Sequence, residues 1–98
     1  MTKITITEAR QILEDHLSYD NMKSELAKMT DEDLLKVDIC KEFDFDSLDC
    51  MDMLTSLYTR YRIWIEDSAM LKSSFPKEPT VKNFIKFVND HITSRESA

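Results

Sequence analysis

The stretch DSLDCMDMLTSLYTRY, residues 46–61, indicates how this chain folds. Its apolar side chains recur at steps of three and four residues, which is the period of an α-helix with one buried face. Asp46 is a favourable N-cap, and Asp49 places a negative charge in the first turn, where the helix dipole favours it. We therefore predict a long helix from about Asp46 to Tyr61. The expected core stripe consists of Leu48, Met51, Leu54, Leu57, Tyr58 and Tyr61.

Two further helices are predicted, one on each side of this central one. Over residues 5–17, Thr5 and Glu8 fit a capping box. Over residues 80–92, Thr80 is placed as an N-cap. Apolar residues recur at helical spacing in both segments. They are Ile6, Ala9, Ile12, Leu13 and Leu17 in the first, and Val81, Phe84, Ile85, Val88 and Ile92 in the second. The tail, residues 94–98, is expected to be frayed.

The segments between these helices have weaker patterns. Residues 18–29 are mostly polar and support no firm assignment beyond a loop with a loose helical turn. Thr30 is a candidate N-cap for a short helix, with acids in its first turn. Residues 63–79 predict a connecting loop with one turn near residues 67–72, because Pro76 and Pro79 interrupt a helix. The sequence thus predicts one all-α domain over residues 1–98, a small bundle of three main helices and one or two short ones.

Composition narrows the possible functions. The chain has 98 residues and no glycine, so glycine-rich phosphate loops and the dinucleotide fingerprint are excluded. Its net charge is −6, and residues 1–67 hold 8 basic and 16 acidic side chains. Because nucleic acids and anionic membranes repel such a protein, we expect neither as a partner, and favour a basic or neutral protein. No signal peptide or transmembrane stretch is apparent, so we expect a cytoplasmic protein with reduced cysteines.

The segment EFDFDSLDCMD, residues 42–52, carries five acids, no bases and one serine at a predicted helix start. As an EF-hand loop it fails in both registers, since its twelfth position is Met53 or Thr55 instead of glutamate. As an aspartyl phosphotransferase motif it lacks the parallel strands and chain length that such a site needs. A third interpretation is that the serine and acids only cap a helix.

A fourth interpretation comes from resemblance. D-S-L-D at residues 46–49 opens an amphipathic helix in the middle of a small acidic helical protein, and this resembles the acyl carrier protein family. The likeness runs from about Asp38 to Ile92. It includes an aromatic residue before the motif (Phe43), the acid Asp52, apolar residues along the helix, the run at 65–67, and the pair at 80–81 that opens the last helix.

The resemblance implies a carrier without catalytic activity of its own and without a metal site. Ser47 would bear a covalent 4′-phosphopantetheine, with Asp46, Leu48 and Asp49 completing the attachment motif. Acyl intermediates of fatty-acid or specialised lipid or polyketide-type biosynthesis would be carried as thioesters on that arm. The partners would be a phosphopantetheinyl transferase and acyl-processing enzymes with basic docking patches, and the protein would be a monomer. The expected partner-binding residues are Asp44, Asp46, Asp49, Met51, Asp52 and Thr55.

Two departures from the family pattern bear on function. Asp44 stands where the family usually has a glycine, and aspartate tolerates the left-handed backbone better than most residues. The end of the central helix carries Arg60 and Arg62, where the family is often more acidic. These departures motivate an alternative, an unmodified carrier-like fold that acts as an acidic protein-binding module. We interpret His16, His91, Cys40, Cys50 and Trp64 as packing or surface residues.

Overall fold

A computed structural model describes residues 3–97 and confirms the all-α class. Seven α-helices and one 3-10 turn follow one another in this part of the chain. They are α1 (Ile6–His16), α2 (Asp20–Lys28), α3 (Asp31–Leu35), α4 (Ile39–Glu42), α5 (Ser47–Tyr61), α6 (Asp67–Lys72), the 3-10 turn (Phe75–Lys77) and α7 (Val81–Ser97).

Side-chain caps set the starts of the main helices, as the sequence predicted. At α1, the Thr5 hydroxyl and the Glu8 carboxylate complete a capping box. The Thr30 hydroxyl accepts a bond of 3.2 Å from the Asp33 N–H at the start of α3. Thr80 caps α7 in the same way, accepting 3.2 Å from the Asn83 N–H. Each of these bonds satisfies an N–H group that the helix itself leaves unpaired.

The described residues are more helical than predicted, since four short α-helices (α2, α3, α4 and α6) accompany the three main ones instead of one or two. Residues 20–28 form α2, which has no side-chain cap bond and buries only Leu26. This helix is stabilised by tertiary packing more than by local signals, which explains why no firm assignment was possible from the sequence. The last helix continues to Ser97 instead of ending near residue 92. The sequence predicts a frayed tail at residues 94–98. The side chains of these residues and the backbone of Ala98 lie outside the part of the chain that the structure describes.

The core stripe of α5 differs from the predicted one. Leu48 is 68% exposed and Tyr58 is 43% exposed, so neither belongs to the core. The buried residues of this helix are Cys50, Met53, Leu54 and Leu57. The predicted stripe spanned about half the circumference of a helix with 3.6 residues per turn. Only its Leu54–Leu57 side is buried, and Cys50 and Met53 extend that side.

Backbone bonds join the start of α4 to the start of α7. The Ile39 N–H donates to the Pro79 carbonyl at 3.0 Å, and the Val81 N–H donates to the Val37 carbonyl at 3.1 Å. The Asp38 carboxylate caps α4 by accepting bonds from the N–H groups of Cys40 and Lys41, each at 3.0 Å. This junction holds Pro79 against α4, close to the first turn of α5.

Candidate functional site

The loop before α5 alternates between buried aromatic rings and exposed acids. Phe43 and Phe45 are 3% and 6% exposed, and their ring centroids lie 6.3 Å apart. Asp44 and Asp46 between and after them point to solvent. Asp44 has φ 58°, the left-handed region that glycine adopts most easily. The turn before α5 is therefore made in the left-handed conformation without a glycine.

Ser47 occupies the first helical position of α5 and is exposed. Asp46 and Asp49, which flank Ser47 and Leu48 in the motif, form a capping box. The Asp49 N–H donates to the Asp46 carboxylate at 2.9 Å, and the Asp46 N–H donates to the Asp49 carboxylate at 3.0 Å. Among the described residues, the N–H groups of Ser47 and Leu48 have no protein acceptor. Two donors thus remain available at the helix start beside the serine hydroxyl.

A mostly apolar cavity of about 150 Å³ opens beside Ser47. It lies between α4, the first turns of α5, α6 and the 3-10 turn. A cavity of about this volume can hold an apolar group the size of benzene. Its lining residues are Cys40, Ser47, Cys50, Met51, Met70, Leu71, Phe75, Pro76 and Pro79.

Two thiols line this cavity and both are free. Burial raises the pKa of the Cys50 thiol to about 12, and the neighbouring Cys40 adds to the shift. Burial also raises the pKa of Cys40, with the Asp38 carboxylate contributing. Because the thiolate is the nucleophilic form of cysteine, both side chains stay protonated and weakly nucleophilic near neutral pH. They act as small apolar walls of the cavity.

The predicted partner-binding residues lie on different sides of α5. Met51 is half-buried at the cavity, whereas Asp52 and Thr55 are exposed and line a groove between α1 and α5. In that groove, the His16 ring and the Ser56 hydroxyl are 2.7 Å apart. Asp44 and Asp49 line a third depression, beside the end of α1 and the start of α2. The acids therefore lie on several sides of the first half of α5 instead of forming one stripe.

Most of the cavity wall cannot be recognised from the sequence. Its residues Cys40, Leu71, Phe75 and Pro79 belong to segments for which the sequence predicts general packing, a turn or a loop, and their separation along the chain hides their proximity. Pro79 is an indication of the cavity wall in the sequence, because the proline ring restricts the backbone just before Thr80, the predicted N-cap. Trp64 does not pack into the core. It is 52% exposed and contacts the Tyr58 ring edge-on.

Other site types are not apparent in residues 3–97. No group of three or more His, Cys, Asp or Glu side chains within these residues could hold a metal ion. None of the described helices has the length and apolar character needed to cross a membrane. Comparison of the sequence with protein-family models and with curated proteins, and of the structure with solved structures, finds no match.

Proposed function

We propose that this protein is a phosphopantetheine carrier, with the prosthetic group attached to Ser47 Oγ. The observation that carries the proposal is the placement of one exposed hydroxyl at the start of α5, next to an apolar cavity. When bound, the arm would supply a thiol that carries an acyl group as a thioester. The protein itself would supply the attachment point, the docking surface and shelter for an apolar chain.

The chemistry of the donors at the site fits a phosphodiester. The unpaired N–H groups of Ser47 and Leu48 point from a helix N-terminus, where partial positive charge favours a phosphate oxygen. Asp46 and Asp49 bond to backbone N–H groups through one carboxylate oxygen each, and their other oxygens accept no hydrogen bond from another described residue. Those oxygens suit a hard cation such as Mg²⁺ brought by a transferase.

The charge of the protein fits partners with basic surfaces. Asp44, Asp46 and Asp52, in the loop before α5 and in its first two turns, are exposed and make no ion pair with another described residue. Such charges accelerate encounters and are screened by salt, which suits brief contacts with several enzymes in turn. We therefore expect a phosphopantetheinyl transferase and acyl-processing enzymes with basic docking patches as partners, and a monomeric carrier.

The proposal is tested by intact mass before and after incubation with a promiscuous phosphopantetheinyl transferase, Mg²⁺ and coenzyme A. We expect a gain of one phosphopantetheine, mapped to the peptide that contains Ser47, and no gain in Ser47→Ala. Ser68→Ala is the matched control, because Ser68 also follows an aspartate in the first turn of a helix, α6. It should be modified like the wild type.

The result also separates the two candidate functions. If several transferases leave a folded wild-type sample unmodified, the carrier function is wrong and the unmodified acidic binding module is favoured. In that case the exposed acids of residues 42–52 would hold one partner permanently. Co-purification with a single stoichiometric partner would support that alternative.

A further inference from the structure

The far end of α5 carries an exposed aromatic and cationic cluster, which we call the Tyr58 patch and define as Tyr58, Arg62 and Trp64. The rings of Tyr58 and Trp64 meet edge to face with centroids 5.5 Å apart. The Arg62 guanidinium lies over the Tyr58 ring, 5.4 Å from its centroid. Trp64 is 52% and Tyr58 43% exposed, so the patch presents large apolar surfaces to solvent.

The backbone of the α5–α6 connection holds this patch in place. Arg62 ends α5 in the left-handed conformation, φ 58° and ψ 31°, where glycine is the usual residue. The next N–H, that of Ile63, donates to the Leu57 carbonyl at 3.3 Å. Ile63 and Ile65 are each 2% exposed, and because side chains alternate in an extended segment, Trp64 is turned outward. The patch is therefore a fixed feature of the fold.

The charge of the patch differs from that of its surroundings. Arg60, two residues before Arg62, is neutralised by Asp15 through two bonds of 2.5 and 2.6 Å. Arg62 makes no ion pair with any other described residue. Its positive charge is thus available, on a protein whose net charge is −6.

We infer that the Tyr58 patch is a docking surface for an acidic, amphipathic protein segment, one that presents a carboxylate beside an aliphatic side chain. Tyr, Trp and Arg are the residue types that most often dominate binding at protein interfaces. The carboxylate would pair with Arg62, while the aliphatic group would cover the two rings. Nucleic acid and anionic lipid also carry negative charge, but the acidic remainder of this protein repels such extended polyanions.

This surface is separate from the proposed attachment site. Tyr58 is eleven residues from Ser47, about three turns or 16 Å along α5. The inference does not depend on whether Ser47 is modified. A partner that used both ends of α5 would need basic groups near Ser47 and a carboxylate about three turns away.

The experiment is a titration with two synthetic helical peptides, one with leucines flanked by glutamates and a counterpart with lysines in place of the glutamates. Trp64 is the single tryptophan of the chain, so its fluorescence reports on this patch directly. We expect the glutamate peptide to shift the Trp64 emission to the blue with saturation, and the lysine peptide to leave the emission unchanged. Binding of the lysine peptide to acids near Ser47 would not move this signal.

The informative variant is Arg62→Gly, because glycine suits the left-handed position and the variant should fold at least as well as the wild type. This variant should bind the glutamate peptide with an affinity about tenfold or more lower than that of the wild type, as expected for a lost charge-assisted bond. Lys86→Ala is the control, since it removes one positive charge from an exposed pair on α7. The affinity of Lys86→Ala for the glutamate peptide should stay within about twofold of that of the wild type.

Each of the following results would overturn the inference. One is the absence of a saturable shift with the glutamate peptide. A second is an equal response to both peptides, or an unchanged affinity in Arg62→Gly. The third is an emission shift that grows with protein concentration alone, with a matching rise in mass by light scattering, since a second copy of the chain would then occupy the patch.

Discussion

The Asp46 and Asp49 carboxylates each accept a hydrogen bond from the other residue's backbone N–H, at 2.9 and 3.0 Å. This reciprocal capping box fixes the first turn of α5 and with it the position of Ser47 between the two acids. An aspartate at the third helical position replaces the glutamate that is more usual in such a box. Its shorter side chain keeps the carboxylate close to the helix start.

The capping box should contribute measurably to stability. We expect Asp46→Ala to lower the free energy of unfolding by about 1 kcal/mol, because it leaves an N-terminal N–H group unpaired. Asp49→Ala should have a similar effect, and the double variant should cost less than the sum, since both bonds belong to one unit. Urea denaturation measures these values. Asp52→Ala, an exposed acid outside the box, should stay within about 0.5 kcal/mol of the wild type.

The left-handed backbone of Asp44 leads to a second prediction. Asp44→Gly should leave the free energy of unfolding unchanged or raise it by up to about 1 kcal/mol, whereas Asp44→Val should lower it by about 1–2 kcal/mol. At Asp52, inside α5, the order of stability should reverse: Asp52→Gly should be less stable than Asp52→Val, because glycine is the poorer helix former. Thermal unfolding is sensitive enough, since 1 kcal/mol shifts the Tm of a domain this size by about 4–8 °C. Equal melting of the two Asp44 variants would contradict the left-handed conformation.

Two residues of the cavity wall should respond very differently to truncation. Phe75 is 2% exposed and contacts the Phe84 ring at 5.8 Å between centroids. Phe75→Ala should therefore cost about 3–5 kcal/mol, and Phe75→Leu less. Leu71 lines the same cavity but is 57% exposed, so Leu71→Ala should change stability by less than about 1 kcal/mol. Urea denaturation at neutral pH distinguishes them, and a similar loss in both would mean that the cavity is closed in solution.

The elements that the sequence predicted well are those with local causes. The starts of α1, α5 and α7 follow from Thr5, Asp46 and Thr80, whose side chains bond within their own first turn. Asp46 and Asp49 could be placed around Ser47 for the same reason. No more distant contact is needed to form a capping box, so residue type and spacing were sufficient.

The elements that it predicted poorly depend on contacts between distant segments. The face that α5 buries is decided by its neighbours in the bundle, and this turned Leu48 outward and Cys50 inward. The cavity beside Ser47 is assembled from α4, α5, α6 and the residues before α7, so no single window of sequence contains it. Trp64 was predicted to pack at the end of the central helix; there it contacts Tyr58 but stays 52% exposed, between the buried Ile63 and Ile65.

The final prediction concerns stability at alkaline pH and the thiol of Cys50. Its pKa is raised from 9.0 to about 12 in the folded protein, first by burial and then by Cys40. Above pH 9 the unfolded chain loses this proton while the folded chain keeps it, so the free energy of unfolding must fall as the pH rises toward 12. The slope from one such thiol approaches about 1.4 kcal/mol per pH unit.

The measurement is urea denaturation of the wild type and Cys50→Ala between pH 8 and pH 10, where the tyrosines that begin to titrate are common to both proteins and cancel in the comparison. We expect little difference in slope below pH 9 and a steeper loss in the wild type above it. Cys40→Ala should also reduce the alkaline loss, because the pKa of Cys40 is raised in the same direction. If the wild type and Cys50→Ala lose stability in parallel up to pH 10, the Cys50 thiol is accessible to water in solution. The wall of the cavity beside Ser47 would then be open on that side.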